Sequence, residues 1–352
     1  EIAVDFLAAS SGDAGLFLKE TDALIVEDLS ASIKRIDGSG DVSEVIADSG
    51  EDLLTSGNGN IVLVSGGKLS IIEGALDDGI GNNLGVKAGG SGNIFLQALS
   101  GDIDIQSKIS ATDGNISMKT EAGDILQSAT GHINTAGSID LVASASIRMS
   151  DGGTTTSTGA DIRYQAGTDI IVGQLKVSAE EKGVSLISGD DIIDGGDTGG
   201  EDIQASKLLI SSTGATGHDD TDLDALEIAV DALTVNSGDA GLFLNETDMV
   251  QVQEVSTSIN RVDNTGGVSA NVVDAREDLL SSGNGSIVLV SGGALSITEG
   301  SLEDGQGDTA GLKAAGSGNV FLQALSGDID VQSRISATDG NISMKTEAGD
   351  IL

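Results

Sequence analysis

Carboxylates dominate the residues of this chain that could do chemistry. Asp190, Asp191, Asp194 and Asp197 fall in one short stretch, SGDDIIDGGD. Paired carboxylates can act as general acid and base on a glycosidic bond, or hold Ca2+ through oxygen ligands. These four are the candidate Ca2+ ligands. The competing reading is a solvated acidic corner whose charge is screened by divalent ions.

Two more stretches are Asp-dense: GGDTGGED at Gly195–Asp202 and HDDTDLD at His218–Asp224. The first has the Gly/Asp character of a calcium-binding nonapeptide, but that motif needs tandem copies and this stretch occurs once. EF-hand spacing is absent. Catalysis is poorly supplied elsewhere, with two His, no Trp and a single Tyr, Tyr164. His132 and His218 lack partners at metal-ligand spacing and read as surface residues. The glycines lack the Lys and the strand–helix context of a phosphate loop. Phe17, Phe95, Phe243 and Phe321 sit in LFL, IFL, LFL and VFL. If their neighbours point inward, these four rings point outward as repeated partner-binding spots, unless a neighbouring loop covers them.

The elements that position these residues follow from the repeats. Ile94, Ile116, Ile139 and Ile162 open strand-like pieces at steps of 22, 23 and 23; Ile103, Ile125, Ile147 and Ile170 open a second series at 22, 22 and 23. A weaker third series includes Ile109 and Ile133. Within each piece the alternation has period two: Ile103 and Ile105 one way, Asp102, Asp104 and Gln106 the other. Gly with Asn, Asp or Ser marks the turns, and no stretch shows helical periodicity with caps. Gly152–Gly159, Gly195–Gly200 and Gly214–Leu226 break the rhythm and read as loops. A longer period encloses the short one: residues 1–126 return as 227–352, with 88 of 126 positions identical. Ten coils of about 22.6 residues would make the offset of 226.

These periods predict an all-β chain: a single-stranded parallel β-helix, a solenoid of about 22 residues per coil and about sixteen coils, roughly 77 Å long at about 4.8 Å per coil. Residues 1–226 form the first long repeat and 227–352 a partial second, continuous with it. Both ends fall inside a long repeat and no capping repeat is visible, so the chain reads as a piece of a longer protein. Equivalent turn residues should stack, Asn93 with Asn115 and Asp102 with Asp124. Stacked carboxylates repel, so the expectation is that cations or solvent relieve them.

Composition bounds the partners. The net charge is −39 over 352 residues, which excludes nucleic acid and anionic membrane surfaces as partners. No apolar run approaches the roughly 20 residues of a membrane helix, so membrane insertion of this segment is not expected. There is no Cys and no Pro; the first excludes thiol chemistry, and the second suits a chain paired along its length.

The recurring G-[ND]-I-x-[LIM] units, their spacing near 22 and the near-identical long repeats resemble the repeat regions of giant bacterial haemagglutinin-like adhesins. The resemblance implies a right-handed parallel β-helical shaft of an exported, cell-surface protein. No functional residue carries over from it, and the one cofactor expected, from the carboxylates themselves, is Ca2+ at the acidic corner. The partners it implies are a host or neighbouring-cell surface, or an extracellular glycan. The alternative is a β-helical carbohydrate-active enzyme or carbohydrate-binding segment with an acidic groove.

Overall fold

In the computed structural model the described residues are 1–50, 52–74, 83–196, 198, 200–217, 225–300, 302 and 310–352. Among them are 39 strands and no helix. Thirty-five of the strands join one sheet, all of whose pairings are parallel. Three short strands make each coil, and each hydrogen-bonds to its counterpart one coil on. The protein is a parallel β-helix.

One ladder runs through twelve successive levels. Leu18 pairs with Leu63, then Leu96, Met118, Leu141, Tyr164, Leu186, Ile210, Val235, Leu279, Leu312 and Ile335. From Leu63 to Leu312 all of these side chains are buried. The second face stacks Ile103, Ile125, Ile147, Ile170 and Ile192, and the third stacks Val86, Ile109 and Ile133. β-Branched and aliphatic side chains suit these rows because each methyl group meets its own kind one coil away.

The G-[ND]-I signature is the corner of this architecture. Asn93 Oδ1 accepts the backbone N–H of Asn115 at 2.8 Å, and Asn115 Oδ1 accepts that of Ser138 at 2.9 Å. Asp102 Oδ1 accepts the N–H of Asp124, and Asp124 Oδ1 that of Ser146. Backbone donors from the next coil thus stabilise the stacked carboxylates, and Arg148 lies 3.9 Å from Asp124 and 3.2 Å from Asp169. The glycine is needed because corners stack closely: a Cβ on Gly114 would lie 1.9 Å from the carbonyl oxygen of Gly92.

That ladder has twelve levels, and Ile2, bridged to Glu20, with Phe6, paired with Ile25, adds a thirteenth; among the described residues the expected sixteen coils and 77 Å thus become thirteen and roughly 58 Å at about 4.8 Å per step. Two segments leave the coil to cause this. Leu29–Ile36 and Val42–Gly50 form an antiparallel hairpin, as do Val255–Val262 and Val268–Arg276. The step from Ile61 to Ile94 is also long, at 33 residues. The long repeat is likewise not ten coils. Leu18 reaches Val235 in eight steps, but its own counterpart Leu244 lies one strand further round, beside Leu226 and Leu289. Successive long repeats are thus rotated by about a third of a coil.

The expected loop at Gly152–Gly159 contains the strand Thr154–Ser157. Thr155 points into the core, and its hydroxyl lies 2.6 Å from that of buried Tyr164. A hydrogen-bonded polar pair here replaces the usual aliphatic contact, which is why the stretch lacks the apolar signature of a strand.

Candidate functional site

The four sequence-nominated carboxylates do not form one site. Asp190 and Asp191 cluster with Asp169, one coil away, with carboxylate oxygens within 4.8 Å of one another. Asp194 belongs to a second cluster with Asp202 and Glu227, and Asp197 lies outside the described residues. The local hydrogen bonds explain the split. Asp191 Oδ1 accepts the N–H of Ala215 at the next corner, whereas Asp194 Oδ1 caps its own turn at the N–H of Gly196. The strand Ile192–Asp194 runs between them, so they sit at its two ends.

A third cluster, Glu277, Asp278 and Glu299, has Glu277 and Asp278 almost fully buried. It was missed in the sequence, although Glu51, Asp52 and Glu73 repeat the same three residues at the 226-residue offset. Asp52 and Asp278 share a positive φ, 64° and 73°, a left-handed conformation that costs free energy in a residue with a side chain. Each cluster brings together oxygen donors of the kind Ca2+ takes. Like charges about 4 Å apart repel by between about 1 and about 4 kcal/mol, depending on exposure.

A groove runs along the outer side of the third face. Ser110, Asn134, Thr156, Lys176 and Gln204 stack there in register. Lys108, His132 and Thr154 border it. His132 is half-buried, in contrast to the exposed surface position expected, and its Nδ1 lies 2.9 Å from Thr154 Oγ1. Burial, aided by nearby Lys108, holds the imidazole pKa below its ordinary value. The lining is amides, hydroxyls and ammonium groups, with Glu201 at one end. Such a surface can hydrogen-bond a polar chain, and among the described residues lining it there is no pair of carboxylates for acid–base hydrolysis. His218 lies outside the described residues.

The four Phe differ. Phe17 is 54% exposed, Phe243 and Phe321 are half-buried, and Phe95 is only 7% exposed. What covers Phe95 is the hairpin 255–276 of the second long repeat, folded back along the first. Val262 packs on Val62 and Phe95, and Val255 packs on Leu209 and Ala232. The hairpin also donates backbone N–H groups to the shaft: Ser258 to Asp161 Oδ2, Asn260 to Ser138 Oγ and Val262 to Ser117 Oγ.

An ion network locks the two together. Asp140, 1% exposed, accepts from Arg163 Nη1 at 3.2 Å and from Arg261 Nε at 2.5 Å. Arg163 Nε donates to Asp274 Oδ2 at 2.8 Å, and the Ser185 hydroxyl donates to the same oxygen. Asp140, Arg163 and Ser185 belong to the shaft, and Arg261 and Asp274 to the hairpin. Charges this poorly exposed are tolerable only when paired and hydrogen-bonded.

Glu246 is a strongly perturbed carboxyl. Burial pushes its pKa up to about 8, against the pull of the backbone N–H groups of Asp248 and Val230. Its counterpart Glu20 receives equivalent bonds from Val4 and Asp22; there the donors outweigh burial and the pKa is lowered.

No family model, no curated protein and no solved structure matches this chain.

Proposed function

We propose that this chain is a length of stiff, non-catalytic β-helical shaft from a giant secreted or cell-surface bacterial protein of the haemagglutinin-like adhesin kind. Its work is to project or carry an adhesive surface. The observation that supports this most is the unbroken twelve-level ladder, continuous across the junction of the long repeats and braced along its outside by the hairpin. A rod has to resist bending. Stacked strands do that along the axis, and a hairpin tied to several coils by ion pairs does it across them. The partner is a host or neighbouring-cell surface, or an extracellular glycan.

A second reading has a specific observation behind it: the polar groove from Ser110 to Gln204 suits a glycan chain. In that reading the chain binds carbohydrate, or acts on it. Incubation with neutral and acidic polysaccharides separates the readings. The shaft reading expects neither new reducing ends nor unsaturated products, and products from a purified chain would overturn it. Retention of a glycan that is lost in Asn134→Ala would place adhesion in the groove. Ca2+ at the acidic corners would be a stabilising ligand in either reading.

A further inference from the structure

The third-face groove carries the opposite charge to the rest of this chain. The five strands Leu84–Ala88, Lys108–Ala111, Ile133–Thr135, Thr154–Ser157 and Gln174–Val177 contain three Lys and neither Asp nor Glu. In the whole chain Asp and Glu outnumber Lys and Arg by 56 to 17. The second face over the same coils carries Asp104, Arg148 and Asp194, with no positive excess. The first face there packs under the 255–276 hairpin. Lys108 and Lys176 line the groove and Lys87 continues its row. Among the described residues none of these three reaches a carboxylate, whereas Lys19, Lys68, Lys119, Lys207 and Lys345 each pair with one.

Between the lysines the row is neutral and hydrogen-bonding. Lys87 is one coil from Ser110, which leads through Asn134 and Thr156 to Lys176. Lys87 and Lys176 are thus four coils, or about 19 Å, apart. Two depressions of about 540 and 250 Å³ share Thr154 and Thr156, so the groove is continuous. Because the His132 pKa is held below its ordinary value, the imidazole is neutral at pH 7 and the charge of the groove is that of the lysines.

We propose that this groove binds a linear polysaccharide bearing carboxylates, a polyuronate, laid along the shaft axis with its acid groups on Lys87, Lys108 and Lys176 and its hydroxyls on the row between them. Each coil advances about 4.8 Å, close to one sugar of an extended chain, so successive sugars meet successive coils. An ammonium group meets a carboxylate as a compact point charge. Amides and hydroxyls both donate and accept, as sugar hydroxyls do. A peptide suits the groove less well, because the third-face strands are paired on both edges and leave no strand edge to extend. Glu201, at the Gln204 end, repels a polyanion and marks the end of its site. The proposal rests on the carbohydrate-binding reading given above and names the class of glycan.

The test is titration of a fluorescently labelled polygalacturonate oligomer with the whole 352-residue chain, read by anisotropy. Chelator is present, and salt is about 0.1 M, where a Debye length of about 10 Å screens the distant carboxylates of the chain. The fully methyl-esterified oligomer, the same backbone without its charge, is the comparison. An exposed ion pair is worth up to about fivefold in affinity, so across three pairs the ester should bind at least about tenfold more weakly than the acid. Lys87→Gln and Lys176→Gln should each weaken the acid form by about two- to fivefold and leave the ester unchanged. Glu201→Gln should tighten the acid form, an effect that damage to the fold would not produce. Circular dichroism of each variant checks that the β-helix is intact. Equal affinity for acid and ester, unmoved by the lysine variants, would overturn the proposal and leave the carbohydrate reading standing. Acid binding that survives Lys87→Gln and Lys176→Gln together would place the site elsewhere and overturn it too. No binding of either form would also overturn it; the carbohydrate reading falls with it only if neutral polysaccharides are not retained either.

Discussion

Removing the Asp140 carboxylate should release the hairpin while leaving the shaft folded. Asp140 is 1% exposed and carries two guanidinium groups, one from the shaft and one from the hairpin. Breaking one member of a buried ionic group costs about 3–5 kcal/mol, because the remaining charge is left uncompensated. Two features put Asp140→Ala near the lower end. Arg163 keeps Asp274 and Gln165, and the Arg261 side chain is 34% exposed, so water screens part of its loss. About 3 kcal/mol corresponds to a rise of roughly 150-fold in local opening. Hydrogen exchange should read that rise at Ser258, Asn260 and Val262, whose amides bond the shaft. The amides of Ile139, Ile147 and Ile170, which bond carbonyls of the next coil, should keep their protection. Unchanged exchange at the three hairpin amides would refute the argument. Equal loss along the whole shaft would refute it too, because the network would then hold the coil and not the clasp.

Arg35→Ala, at the exposed Arg35–Glu44 pair of the 29–50 hairpin, should change stability by no more than the ~0–1 kcal/mol typical of surface pairs, read by chemical denaturation. Glu246 should give a pH dependence of known sign. Its folded pKa is raised from 4.5 to about 8, so its stabilising contribution is complete below pH 4.5 and is lost as pH rises through 8. Melting temperature should therefore fall between pH 5 and 8 less steeply in Glu246→Gln than in the parent; identical slopes would sink this. Tyr164→Phe removes the buried bond to Thr155 and should cost about 1 kcal/mol in urea unfolding. Asn115→Ala strips the acceptor from the Ser138 N–H and should cost about 1–3 kcal/mol, read by the same unfolding.

The coil was legible because stacking forces a residue to meet its counterpart every 22 or 23 positions, and Ile94, Ile116 and Ile139 show that spacing directly. The hairpins were not, although Asp37–Gly38 between alternating strands is a hairpin signal. A strand in a coil and a strand in a hairpin share period two, so Ser32–Ile36 reads as either. Counting those residues as coil produced the surplus levels. Asp190, Asp191 and Asp194 are neighbours in sequence, but the strand Ile192–Asp194 separates them. Asp169 joins Asp190 and Asp191 from 22 residues back, a partner visible only once the coil length is used as a ruler. The clasp on Phe95 comes from residues 160 to 180 positions away, and no local pattern announces it.

The central claim is a self-sufficient shaft whose stacked rows and corner hydrogen bonds hold it together without a bound ion. The measurement that tests it most directly is far-ultraviolet circular dichroism and thermal melting of the chain in chelator, repeated with added Ca2+. The account predicts a β-rich spectrum and a cooperative melt already present in chelator, with Ca2+ raising the melting temperature at most modestly through the acidic corners. A disordered or helical spectrum in chelator, with β structure appearing only on Ca2+ addition, would contradict it and make the carboxylate clusters the framework of the fold.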